Sequence, residues 1–256
     1  MLKVKVLVLR APGTNCDGET AFAFQQAGAV PSLCHVNQLI RHERRLSDYQ
    51  VLVFPGGFSY GDDIAAGKVQ AVELKQKLGE EIRQFVSDGG LILGICNGFQ
   101  VLAKAGILPD LNRPDAPPLT LAANDSGKFE CRWTHLLVAG KSPCVFTQGI
   151  DSMYLPVAHG EGKVITDMRG LREINTAVYY ADESGNTQAG YPHNPNGSMN
   201  NIAGVCDPSG RIFALMPHPE RFIRFTQHPQ WTRRKPKESG DGLAIFKNAV
   251  KFAKNS

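Results

Sequence analysis

Cys96 stands in Gly94-Ile95-Cys96-Asn97-Gly98, between the apolar run Leu91 to Ile95 and the helix-forming stretch Asn97 to Ala105. A nucleophilic residue type between two glycines, at a strand-to-helix junction, is the pattern of a sharp elbow. Side chains at the flanking positions would block such a turn, and glycine removes them. The helix N-terminus then brings partial positive charge to the sulfur and favours thiolate over thiol. The Asn97 N–H points to the same spot, ready to donate to the oxyanion formed when a thiolate attacks a carbonyl. A buried structural cysteine between small residues is the competing reading of this string alone. The other cysteines, Cys16, Cys34, Cys131, Cys144 and Cys206, lack this context and are read as core or surface residues.

Thiol chemistry needs a base and a group to orient it. Met216-Pro217-His218-Pro219-Glu220 follows an apolar run near the end of the chain. Each proline fixes its own φ and pushes the preceding residue toward extended backbone. Positions i and i+2 of an extended segment project to one side, so His218 and Glu220 face a common site as proton shuttle and orienting carboxylate. Taken alone, a His-x-Glu pair also suits a metal site or a capped turn. With an elbow cysteine upstream, catalysis is the stronger reading. The run Tyr49 to Phe54 ends in Pro55-Gly56-Gly57, where paired glycines let the chain approach closely and aim an N–H. Gly57 is the second candidate oxyanion donor, against an ordinary glycine turn. No GxxxxGK[ST] string occurs, so this loop is not read as a phosphate cradle.

The elements that would position these residues alternate strand and helix. Val4 to Leu9, Val30 to Val36, Tyr49 to Phe54 and Leu91 to Ile95 are short apolar runs without alternation, as in strands buried on both faces. Helical stretches lie between them at Gly18 to Gly28 and, as one long helix, Val69 to Asp88. The expected fold is α/β: a flavodoxin-like, mostly parallel central sheet with helices on both faces. Leu108 to Ala123 reads as loop. Strand-like runs between Phe129 and Gly190, a turn cluster at Asn194 to Asn201, and strands at Ile202 to Cys206 and Arg211 to Met216 imply an antiparallel elaboration. A last helix runs from Gly242 to Ala253.

Composition bounds the function classes. The 256 residues carry a net charge of +4, too weak a bias to argue for nucleic acid. No apolar run is long enough to span a membrane. The N-terminal MLKVKVLVLR alternates lysine with valine and reads as a first strand, not a signal peptide. A cytoplasmic chain with reduced thiols is expected.

Together, PGG, GICNG and PHPE resemble, in order and spacing, the class I (triad) glutamine amidotransferases. APGTNCDGET, PGGFSYGDD, GICNGFQVL, HGEG, NPNGS and MPHPER narrow the resemblance to the separate glutaminase subunits, PurQ type, of phosphoribosylformylglycinamidine synthase. It covers nearly the whole chain, as a single domain over 1–256. It implies Cys96 as nucleophile, His218 and Glu220 as the rest of the triad, Gly57 and Asn97 as oxyanion donors, and Gln100 as a residue holding substrate glutamine. It implies no metal and no cofactor in this chain, and ATP and Mg on a partner synthetase subunit that receives the ammonia. A small bridging subunit is a further expected partner. The alternatives are a glutaminase subunit of another pathway and a non-catalytic regulatory subunit. Residues 109–118 and 226–240 look like insertions relative to compact members. The second is basic through Arg233, Arg234, Lys235 and Lys237, and reads as a solvated loop or as a surface facing the synthetase. HGEG, His159 to Gly162, reads more easily as a turn than as a ligand set, with a role near the subunit interface.

Overall fold

The computed structural model describes residues 3–113 and 115–255. Four early strands carry the apolar runs: β1 (Lys5–Arg10), β2 (Val30–His35), β3 (Val51–Phe54) and β4 (Leu91–Ile95). Every residue of β3 and β4 is buried, which is why these strands show no alternation. The helices among them are α1 (Asp17–Gln26), α2 (Val36–Ile40), α3 (Lys68–Lys77) and α4 (Gly79–Ser87), and α5 (Asn97–Ala105) follows β4. The stretch expected as one helix from Val69 to Asp88 is thus two. Leu78, at φ −129° and ψ 5°, leaves helical geometry just before Gly79.

The later elements are β5 (Leu119–Ala122), β6 (Glu130–Val138), β7 (Ser152–His159), β8 (Lys163–Thr166), α6 (Gly170–Glu173), β9 (Asn175–Ala181), β10 (Ile202–Cys206), β11 (Ile212–Leu215) and α7 (Leu243–Asn255). β5 corrects the expectation of loop throughout Leu108 to Ala123. Leu119 and Leu121 are buried, and the strand pairs antiparallel with β8 in a small separate sheet.

The main sheet has nine strands in the order β2-β1-β3-β4-β11-β10-β9-β6-β7. From β2 to β11 all neighbours are parallel, and beyond β11 all are antiparallel. The parallel part has the flavodoxin-like order, with β11 in the place of the fifth strand. Helices flank it as packed pairs, α1 with α7 and α3 with α5, and Phe24 meets Phe246 edge-on at 5.0 Å. Residues 226–240 are largely exposed short turns pinned by buried His228, which packs against Trp133, Tyr154 and Phe222. No helix among the described residues is long and apolar enough to cross a membrane.

Ligands of open α/β sheets bind beyond the carboxyl ends of the strands. The segments after β1, β3, β4 and β11 hold Cys16, Gly57, Cys96 and His218. A cleft of about 690 Å³ lies at the other end, lined by Gln50 and Gly90, the residues that lead into β3 and β4.

Candidate active site

Cys96 joins β4 to α5 with φ 51° and ψ −104°. Positive φ is rare for a residue with a Cβ and costs roughly 1–3 kcal/mol. The two glycines make the turn fit. A Cβ on Gly98 would stand 1.9 Å from the Phe54 carbonyl oxygen, and one on Gly94 would stand 3.0 Å from the Gly98 backbone. The strained turn does not open the sulfur to solvent: Cys96 is 5% exposed. Its thiol is covered by β7 and lies 3.6 Å from the Ala158 carbonyl oxygen.

His218 follows β11 between its two prolines. Pro219–Arg221 form a 3-10 turn where an extended segment was expected, so the turn, not strand alternation, brings Glu220 back to the ring. The His218 backbone N–H donates to the Pro156 carbonyl on β7 at 2.8 Å, so the antiparallel edge fixes the segment. Nδ1 lies 2.6 Å from Glu220 Oε1, and both side chains are essentially buried. Burial opposes the imidazolium. Glu220, the Cys96 sulfur and Cys16 outweigh it and raise the His218 pKa well above its ordinary value. Nε2 has no hydrogen-bond partner among the described residues. The ring therefore keeps a free nitrogen while Glu220 holds the other, as a proton shuttle requires.

The loop after β3 lies over the elbow. Gly57, at φ 145°, is in backbone that favours glycine. Among the described residues, neither the Gly57 nor the Asn97 N–H donates to a protein acceptor, so both remain available. The Asn97 side chain ties the two segments together. Its Oδ1 accepts from the Ser59 N–H at 3.1 Å, and its Nδ2 donates to Asp62 at 3.3 Å and Gln100 Oε1 at 2.8 Å. Gln100, 4% exposed, also donates from Nε2 to the Glu161 carbonyl at 2.5 Å. Its amide thus holds the HGEG turn against α5, leaving one N–H and one lone pair for any substrate.

HGEG itself is a turn. His159 is buried at the end of β7, with Nδ1 3.1 Å from Asn124 Oδ1. Burial, with His218 nearby, lowers its pKa to about 4. The Glu161 carboxylate accepts from the Ala66 N–H at 3.3 Å and lies 3.7 Å from Lys104 Nζ. NPNGS braces the turn: Asn196 Nδ2 donates to the Gly162 carbonyl at 2.8 Å.

Cys16 is the residue that the sequence reading missed. It is a core residue as expected, but also a neighbour of the triad: Cys16, His218 and Glu220 each put a polar atom within 4.8 Å of the others. The signal was its place in APGTNCDGET, directly after β1. Among the described residues this is the one cluster spaced for a metal ion. The His218–Glu220 hydrogen bond occupies Nδ1, and Arg221 Nη2 donates to the sulfur at 3.1 Å. Both atoms are thus already engaged by protein groups.

Residues 3–253 match the family model of the CobB/CobQ-like glutamine amidotransferase domain. The chain is 56% identical over 254 residues to the phosphoribosylformylglycinamidine synthase subunit PurQ of Dehalococcoides mccartyi, covering 99% of each. It is 44% identical over 271 residues to the subunit of that name from Methanococcus maripaludis, covering 98% of this chain and 99% of the relative. Among solved structures it is similar to a chain of PurLQS from Thermotoga maritima, with 31% identity, TM-score 0.75, and coverage of 98% and 99%. A glutamine amidotransferase of the same organism, at 15% identity and TM-score 0.57 with full coverage of both chains, shares the fold alone. The chain belongs to the CobB/CobQ-like glutamine amidotransferases, and within them to the PurQ subunits of phosphoribosylformylglycinamidine synthase.

Proposed function

We propose that this chain is the glutaminase subunit of phosphoribosylformylglycinamidine synthase and hydrolyses L-glutamine through a thioester on Cys96. One observation carries the reading: a strained cysteine elbow and a buried His218–Glu220 pair at 2.6 Å meet at the carboxyl end of one sheet, in a chain 56% identical to a PurQ subunit.

His218, held protonated beside the thiolate, sets up the attack of Cys96 on the glutamine side-chain carbonyl. The Gly57 and Asn97 N–H groups receive the developing oxyanion, and losing one such donor commonly costs about 100- to 1000-fold. The imidazolium protonates the departing ammonia. The neutral ring then takes a proton from water, and the hydroxide formed releases glutamate from the sulfur. Gln100 uses its remaining N–H and lone pair on the substrate. With Cys96 5% exposed, glutamine reaches the sulfur only when the covering segments move, so the isolated chain is expected to be nearly silent.

The ammonia passes to a synthetase subunit that uses ATP and Mg to convert formylglycinamide ribonucleotide to formylglycinamidine ribonucleotide. A small subunit bridging the two is part of this reading, as is a cytoplasmic setting. All six cysteines are free thiols, in keeping with that setting. The solved relative is in a structure described as PurLQS, which supports a multi-subunit assembly.

The test is amidination by the reconstituted complex with glutamine or with free ammonia. Cys96→Ala is expected to abolish the glutamine-dependent reaction and leave the ammonia-dependent one. Glutamine use that survives in Cys96→Ala would overturn the proposal.

A further inference from the structure

Cys16 has no part in the triad, yet it lies against it. It occupies the N-cap position of α1 without a side-chain capping bond, is 1% exposed, and has polar hydrogen-bond partners. Arg221 Nη2 donates to Sγ at 3.1 Å, and the thiol donates to Asn15 Oδ1 at 3.2 Å. The missing side chain of Gly56 locates the sulfur relative to the ring. A Cβ there would lie 2.8 Å from His218 Cε1, 3.3 Å from Nδ1 and 3.2 Å from Cys16 Sγ. Sulfur and the Nδ1–Cε1 edge of the imidazole thus face one glycine-sized gap.

We propose that Cys16 is a positioning residue of the catalytic histidine: its sulfur, pinned by Arg221, buttresses the Nδ1–Cε1 edge of His218 and stabilises the protonated ring. This rests on the reading that His218 serves Cys96 in glutamine hydrolysis.

Two features favour it over simple filling of the core. A polarisable sulfur beside the Nδ1–Cε1 edge, where an imidazolium carries its charge, favours the protonated ring, and the Arg221 hydrogen bond holds that sulfur in place. The Arg221 guanidinium also needs restraint. Its Nε lies 3.2 Å from Glu19 and 4.0 Å from Glu220 Oε1, the oxygen that orients His218. Holding Nη2 on Cys16 keeps the cation from drawing Glu220 off the ring. Of the groups facing His218, Glu220 and Arg221 come from its own segment, Cys96 from the elbow, Cys16 from α1, and His159, neutral, from the end of β7. Burial lowers the His218 pKa, while Glu220, Cys96 and Cys16 raise it. Removing Cys16 leaves burial less opposed, so the ring loses its proton at lower pH.

The test is NMR titration of ¹³C-labelled histidine in the full chain, for wild type, Cys16→Ala and Cys16→Ser. The pH dependence of kcat/KM for glutamine in the complex with the synthetase accompanies it. The His218 midpoint in Cys16→Ala is expected to fall by at least about 0.5 pH unit, with partial recovery in Cys16→Ser. The alkaline limb of the rate profile should move the same way. A folded Cys16→Ala with an unmoved midpoint and limb would overturn the proposal. If alanine prevents folding, Cys16→Ser carries the same test with a smaller fall expected, and an unmoved midpoint in folded Cys16→Ser would overturn it. Absence of glutamine hydrolysis in the wild-type complex, with the midpoint still shifting, would instead count against the functional reading alone.

Discussion

Two buried histidines, His218 after β11 and His159 at the end of β7, stand in one another's field and are tuned in opposite directions. Both are desolvated, and desolvation favours the neutral ring in each. His218 overcomes it because a carboxylate lies at 2.6 Å and two sulfurs stand near. His159 does not, because its side-chain partner is the neutral Asn124 amide, and the His218 charge acts with burial and outweighs the more weakly acting Glu130. Burial alone therefore does not make a histidine catalytic. The partner's charge decides whether the ring carries a proton at neutral pH, and here it separates the proposed shuttle from a brace.

The largest expected effect removes the shuttle. His218→Ala should cut glutamine-dependent kcat by about 10,000-fold, near the upper end for acid–base catalysis. His159→Asn should cost less than about tenfold at neutral pH by the same measure. Comparable losses in steady-state kinetics would erase the distinction. Next comes the partner's charge. Glu220→Gln keeps the shape and removes the charge, and a loss on the order of 1000-fold is expected. The His218 titration midpoint should fall with it, since the carboxylate is its largest source of proton affinity. Gly56→Ala tests position without touching charge. Its Cβ would stand 2.8 Å from His218 Cε1, so the ring must shift, and a roughly 100-fold fall in kcat is expected.

The last prediction concerns stability, not rate. His159 titrates at about 4 in the folded chain, against 6.5 ordinarily. Between those values the unfolded chain binds the extra proton, so stability is lost as pH falls from 6.5 toward 4. The loss from this group is on the order of 3 kcal/mol. Urea unfolding midpoints across that window should fall less steeply in His159→Asn. An unchanged slope would show that His159 is not held neutral.

The sequence made the parallel half of the sheet legible because its strands are buried on both faces and read as plain apolar runs. Both bounds of α5 were readable as well, since Cys96 and Gly106 punctuate it. The break at Leu78–Gly79 was hidden, because a single glycine within a helical pattern is often tolerated. β5 was hidden by the prolines just before it. The elbow at Cys96 was legible because flanking glycines dictate the local backbone. His218 and Glu220 come together through a 3-10 turn over Pro219–Arg221, and not through the extended segment that the prolines implied. Cys16 was not legible, since its contact with His218 and Arg221 depends on β1 and β11 sharing one end of the sheet. No local pattern carries a pairing across that distance in the chain.

With two thiols beside one imidazole, the decisive measurement is which sulfur carries the intermediate. The complex turning over glutamine, quenched in acid and digested, should give a γ-glutamyl adduct on the peptide containing Cys96 and none on that containing Cys16. An adduct on Cys16, or turnover with no adduct on Cys96 even when hydrolysis is slowed in Glu220→Gln, would contradict the account.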